Sequence, residues 1–180
     1  MLLPIAIHDS ALTVNSFRAE DLSRYQSLVQ EVLEIRSNNK TLKFLPDKRL
    51  RNTSEADDLL RNMLLNAHVG RGQTCFIRQN QNNELIGIIE IIPPHVAREY
   101  YELEDYPCFI EFYLKSQLTG RSVMSKILPL IIRALNVQGI TSIAAAVNRA
   151  NLPALRLLGK SSFTFKKTFD PFQDLYINQI

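Results

Sequence analysis

The spacing of apolar positions changes several times along the chain, and each change marks an element. Leu12, Val14 and Ser16 alternate with Thr13, Asn15 and Phe17, which predicts a short strand. From Glu20 to Ser37 the spacing becomes helical, with Leu22, Tyr25, Leu28, Val29, Val32 and Leu33 on one face. Thr41 to Asn52 is basic, contains Pro46 and reads as a loop. Ser54-Glu55-Ala56-Asp57 has the form of a capping box, which opens a second helix ending near Gly70 and Gly72.

Past Gly72 the pattern turns strand-like. Thr74 to Gln79 and Glu84 to Ile92 read as two strands of a hairpin. Asn80-Gln81-Asn82-Asn83 supplies the turn, because asparagine tolerates left-handed backbone. Pro93-Pro94 stops the second strand, and a polar, aromatic loop runs to Tyr106. Cys108 to Leu114 is a further strand, and Gly120 precedes an apolar helix reaching about Asn136. Thr141 to Val147 reads as a buried strand and Leu152 to Leu158 as a short helix. Phe163 to Phe169 and Leu175 to Ile180 are two closing strands.

The order is thus β-α-α-β-β-β-α-β-α-β-β, with antiparallel hairpins first and a strand–helix–strand crossover in the second half. It predicts a mixed α/β fold of the α+β-like kind: a central, mostly antiparallel sheet of about seven strands flanked by about four helices, not a doubly wound sheet. The 180 residues suit a single domain spanning 1–180.

Composition narrows the function. With 46% hydrophobic residues the chain can bury a sizeable core. A net charge of +3, without any run of five basic residues, argues against nucleic-acid binding. The longest apolar stretch, Ile127 to Leu135, is short and carries Pro129 and Arg133, so no membrane span is expected. Residues 1–7 lack a positive start and are broken by Pro4, which makes a poor signal peptide. Cys75 and Cys108 have no metal spacing, and two lone cysteines suit a reduced, cytoplasmic setting. His8, His68 and His95 are too far apart to suggest a metal site.

Four segments carry a family resemblance. Phe112-Tyr113-Leu114 is followed six residues later by Gly120. Thr119-Gly120-Arg121-Ser122-Val123-Met124 stands as a loop before a helix. Gly139 leads a strand to Val147, and Asn151 follows. Leu157-Leu158-Gly159-Lys160-Ser161-Ser162-Phe163 comes next, and Asp174-Leu175-Tyr176 suits a last strand. In this order and spacing, from about residue 11 to 180, the chain resembles the GNAT superfamily, and within it the Rim-type ribosomal-protein N-terminal acetyltransferases. The resemblance implies a GNAT-type fold, acetyl-CoA as co-substrate and no metal. It also implies a primary amine as acceptor, on a small molecule or a peptide N-terminus, and a monomer or homodimer. The alternative is a non-catalytic GNAT-fold module that binds CoA or a protein partner.

The resemblance places the cofactor on Phe112, Tyr113, Leu114, Thr119, Gly120, Arg121, Ser122, Val123, Met124 and Asn151. A tight turn feeding a helix exposes unpaired N–H groups, and these with the helix dipole would hold the CoA pyrophosphate. Gly120 would let the backbone come close; Arg121 and Lys115 would add charge. Ser122 and Ser162 stand where the family has glycine, and Leu158 where many relatives have a tyrosine acid. A second register would set Gln117, Gly120 and Ser122 on the general superfamily pattern. Pro129 should kink the helix, since it removes one helical bond. Asn151 would lie beside the pantetheine arm or serve as a helix N-cap.

A neutral amine attacking a thioester must give up a proton to a base. Glu90, between Ile89 and Ile91, and Glu111, on the strand leading to the loop, are the two candidates, and Tyr113 shares the side of Glu111. Carboxylates in such apolar strands are expected to hold protons more tightly than in water. Cys108 falls on the opposite face and reads as packing, and His95 is the one histidine near the expected acceptor cleft. The segment from Arg98 to Tyr106 is acidic and aromatic, suited to a cationic acceptor if it is more than a solvated loop.

Overall fold

A computed structural model describes residues 2–103 and 105–180; Met1 and Glu104, the latter in the acidic aromatic segment, lie outside the described residues. Two compact units form, one from Pro4–Glu90 and Phe112–Thr119, the other from residues 2–3, Ile91–Glu111 and Gly120–Ile180.

The first unit contains β1 (Ala6–His8), β2 (Leu12–Ser16), α1 (Ala19–Leu22), α2 (Tyr25–Ser37), α3 (Thr53–His68), β3 (Gln73–Gln79) and most of β4 (Leu85–Ile92), with the end of β5 (Cys108–Leu114). β1, which alternation did not predict, pairs antiparallel with β2 through Ile7↔Val14, and β2 pairs antiparallel with β3 through Val14↔Ile77. Leu28, Val29, Val32 and Ile35 of α2 and Leu60 and Met63 of α3 cover Phe76, Ile88 and Tyr113. Asn83 has φ 56°, the left-handed turn expected of it.

Two expectations for this unit change. The helix read over Glu20 to Ser37 is two helices, because Asp21 turns inward. Its carboxylate accepts from the Arg18 N–H at 3.0 Å and from Arg78 Nη2 at 2.8 Å, and Leu22 is left exposed. The cap of α3 lies two residues earlier than Ser54. Asn52 Oδ1 accepts from the Glu55 N–H, and Glu55 Oε2 accepts from the Arg51 N–H.

The second unit holds the end of β4, α4 (Pro94–Tyr100), the start of β5, α5 (Val123–Val137), β6 (Ser142–Asn148), α6 (Leu152–Lys160), β7 (Thr164–Thr168) and β8 (Gln173–Gln179). The proline pair read as a stop is also a start: Pro93 caps α4 and Pro94 takes its first turn, where a missing N–H costs nothing. α5 runs on through Pro129. Tyr101, Phe109 and Phe169 pack together, with ring centroids 4.9 to 6.1 Å apart, over Ala97, Ala144 and Leu175. The eight strands hydrogen-bond in the order β1-β2-β3-β4-β5-β6-β8-β7. β5 and β6 run parallel, and β6 to β8 and β8 to β7 antiparallel.

Candidate active site

In the second unit, the parallel ladder between β5 and β6 has two residue pairs, Cys108↔Ile143 and Phe109↔Ala144. Both strands continue past it. β6 stays paired with β8 as far as Asn148↔Gln173, whereas the ladder of β5 with β6 ends at Phe109↔Ala144. Glu111 lies two residues beyond Phe109 on the same strand face, half-buried.

The turn into α5 is left-handed twice, with φ 82° at Gly120 and φ 60° at Ser122. Ser122 is the N-cap residue, yet its side chain makes no capping bond. The first N–H bonded back into the helix belongs to Lys126, so those of Val123, Met124 and Ser125 point outward unclaimed by the helix itself. No acidic residue stands in the first turn, and Arg121 and Lys126 are exposed around it. α3 and α6 differ: Asn52 caps one and Asn151 the other. The α5 terminus therefore combines free donors, a positive dipole end and two cations, the physical requirements of an anion site. Met124 itself is buried, so only its backbone faces a ligand.

Asn151 performs the capping role, with Oδ1 accepting from the Ala154 N–H at 3.3 Å. Leu158 is fully buried and serves packing. Ser162 has φ 61°. Both positions where serine replaces the family glycine thus keep the glycine conformation.

Glu90, Tyr113 and the end of β5 belong to the first unit. Arg36 is buried there, donates from Nη1 to Glu90 Oε1 at 2.9 Å and from Nε to the Lys48 carbonyl, and lies 4.0 Å over the Tyr113 ring. Glu90 is therefore engaged structurally. Taking a proton would leave a buried guanidinium without its counter-charge. The Tyr113 ring belongs to the core under α2 and α3, while Phe112 and Leu114 stay half-buried. Lys115, expected to add charge near the phosphates, points elsewhere: its ammonium is buried and bonds Glu34 at 2.7 Å and Glu84 at 2.8 Å. Thr41 Oγ1 donates to the Leu114 carbonyl at 2.8 Å. Thr119 is exposed after a short 3-10 turn, Ser116–Leu118.

Burial pushes the thiols of Cys75 and Cys108 up to about 12, which keeps them inert. His68 and His95 are exposed, and among the described residues no three ligands are grouped for a metal. The acidic aromatic segment divides: Tyr101, Leu103 and Tyr106 turn into the core, whereas Glu99, Glu102 and Asp105 are exposed. Sequence reasoning missed Arg36 and Thr41. Arg36 left a trace, a charge within the apolar face of a helix; Thr41 left none.

Residues 12–164 match the acetyltransferase (GNAT) domain family. The chain belongs to the GNAT acetyltransferases. As a GNAT acetyltransferase it has the family's mixed fold, a mostly antiparallel sheet with helices. No curated protein matches it. Among solved structures it is similar to an uncharacterized protein from Bacillus halodurans, with a TM-score of 0.76 and 13% identity over 99% of this chain and 91% of that one. It is also similar to RimL, a ribosomal L7/L12 α-N-protein acetyltransferase solved with coenzyme A, with a TM-score of 0.72 and 16% identity over 98% of each chain. A third is the ribosomal-protein-S5-alanine acetyltransferase from Vibrio fischeri, with a TM-score of 0.68 and 10% identity over 97% and 96%. GNAT acetyltransferases use acetyl-CoA or CoA. No described helix of this GNAT acetyltransferase is long and apolar enough to cross a membrane.

Proposed function

We propose that the protein transfers the acetyl group of acetyl-CoA to a primary amine, on a polypeptide N-terminus or a small molecule. The uncapped, left-handed entry to α5 carries this reading. The N–H groups of Val123, Met124 and Ser125, with Arg121 and the Ser122 hydroxyl, would hold the pyrophosphate. Gly120 lets the backbone approach and Thr119 leads into the turn. The resemblance assigns the pantetheine arm to Phe112, Tyr113, Leu114 and Asn151.

Glu111 is the preferred base, since Glu90 is committed to Arg36. The amine nitrogen attacks the thioester carbon; the C–N bond forms, the C–S bond breaks, and CoA leaves as thiolate. Glu111 takes the proton from nitrogen, directly or through water, and water protonates the thiolate, because Leu158 offers none. The expected setting is cytoplasmic. A thiol-release assay with acetyl-CoA against mixed amines and free-N-terminus peptides tests the proposal. Release of CoA matched by acetylated product supports it; no acceptor-dependent release with any of them rejects it.

A further inference from the structure

The basic segment after α2 takes no part in acetyl transfer as read above, yet it holds more than the whole chain's excess charge. Lys40, Lys43, Lys48, Arg49 and Arg51 fall within residues 40–51, where Asp47 is the one acid. That segment carries a charge of +4 and the rest of the chain −1, so the net charge of +3 conceals one strongly positive surface.

The segment is folded so that these charges stand outward. Leu42 is fully buried, and Leu45 and Leu50 pack against the core under α2 and α3. Asn38 Oδ1 accepts from the N–H groups of Lys40 and Thr41 at 2.9 and 3.1 Å. The Leu50 N–H donates to the Arg36 carbonyl at 2.9 Å, and the Lys48 carbonyl accepts from Arg36 Nε at 3.3 Å. All five cations are exposed. Elsewhere in the same unit cations meet carboxylates: Arg24 meets Glu31 at 2.7 Å, Arg36 meets Glu90 at 2.9 Å, Arg78 meets Asp21 at 2.8 Å and Lys115 meets Glu34 at 2.7 Å. Among the described residues, Lys40, Lys43, Arg49 and Arg51 meet none.

This surface offers charge without apolar contact. Its leucines turn inward, and none of the exposed large apolar residues lies within 40–51. A protein partner needs a desolvated apolar centre, and such centres are poor in lysine. A nucleic-acid backbone needs only cations, each releasing a condensed counterion. We infer that residues 40–51 bind the phosphate backbone of nucleic acid, with Lys40, Lys43, Arg49 and Arg51 as the phosphate contacts. The surface is separate from the α5 entry and does not depend on the acetyl-transfer reading.

The test follows a fluorescein-labelled oligo(U) RNA of about 12 nucleotides by anisotropy. Four phosphate contacts give a log–log salt slope of about −3, so affinity for the parent should fall about 50-fold between about 50 and 200 mM KCl. Lys43→Gln alone should make that slope shallower by about 0.7. Lys40→Gln, Lys43→Gln, Arg49→Gln and Arg51→Gln together should weaken binding at least about tenfold, with CoA binding and Tm at parental values. Removing as much charge from exposed positions of α6 and β7, by Arg156→Gln, Lys160→Gln, Lys166→Gln and Lys167→Gln, should leave the affinity within about twofold. Unlabelled oligo(dT) should displace the RNA, and saturating CoA should not. No salt-dependent binding by the parent, an equal loss in the α6 and β7 variant, or displacement by CoA overturns the inference. So does better displacement by polyglutamate or by phosphatidylglycerol vesicles than by oligo(dT), which would assign the surface to an acidic polypeptide or to a membrane.

Discussion

Arg36 Nη1 and Glu90 Oε1 stand 2.9 Å apart, and the arginine side chain is only 4% exposed. Glu90→Gln would leave that cation inside the core without its partner, a loss of about 3 kcal/mol. Urea unfolding should report this, while the pH profile of kcat keeps the parent shape. Glu111→Gln should instead change that profile: kcat should fall about 10²–10⁴-fold at neutral pH and less at high pH, where more of the amine is already neutral. A profile altered by Glu90→Gln and untouched by Glu111→Gln would exchange the two roles.

Ser122 holds φ 60° without a capping bond. A left-handed non-glycine residue costs roughly 1–2 kcal/mol, partly offset by the greater chain entropy of glycine. Ser122→Gly should therefore raise stability, by about 0.5–1 kcal/mol, with CoA affinity near the parent or better. Ser122→Ala removes the hydroxyl and keeps the strain, and should weaken CoA binding about tenfold, or roughly 1.4 kcal/mol. Calorimetry decides this, and CoA binding to Ser122→Ala at parental affinity would remove the hydroxyl from the site.

Gly87 lies in β4, where a Cβ would come 2.6 Å from Leu114 Cδ2, 2.9 Å from the Tyr113 carbonyl oxygen and 3.0 Å from Ile77 Cδ1. The leucine tip can move, but the carbonyl belongs to a strand. Gly87→Ala should cost about 1–3 kcal/mol, read as a lowered Tm. A variant as stable as the parent would mean that β5 can shift at Tyr113.

The Lys115 cluster gives stability a defined pH dependence. The Lys115 hydrogen bond, followed by that of Asn82, lowers the Glu84 pKa from 4.5, so its contribution is complete above 4.5 and lost as pH falls through the lowered folded value. Burial alone would lower the Lys115 pKa, but the Glu34 and Glu84 hydrogen bonds outweigh it and raise it above 10.5. That contribution is complete below 10.5 and lost as pH rises through the raised folded value. Lys115→Met should flatten the urea midpoint at both ends of the pH range. An acid limb as steep as the parent's would place the titration elsewhere.

Much of the architecture was legible because periodicity reports burial directly. The strand Cys108–Leu114 matched residue for residue, and the hairpin turn at Asn83 took the backbone its asparagine suggested. Boundaries failed where a side chain reached beyond its own element. Asp21 ended a helix by binding Arg78, 57 positions away, which no local pattern contains. Pro93-Pro94 was ambiguous for a different reason: proline terminates one element and opens another equally well.

Apart from β1, α4 and the break between α1 and α2, the sequence by itself determined the order of elements, the family through four spaced segments, and the position of the turn before α5, since these depend on local composition and spacing. Only the tertiary structure decided what the charged side chains do. Glu90 and Glu111 look alike as acids among apolar strand residues, yet one meets Arg36 and the other stands where β5 leaves β6. Lys115 looked like a phosphate ligand and is the centre of an ion cluster; Ser122 looked like a lost glycine and keeps the glycine backbone. The reason is range: hydrophobic period is a property of neighbouring residues, but the partner of a charge is set by chain segments that meet only after folding.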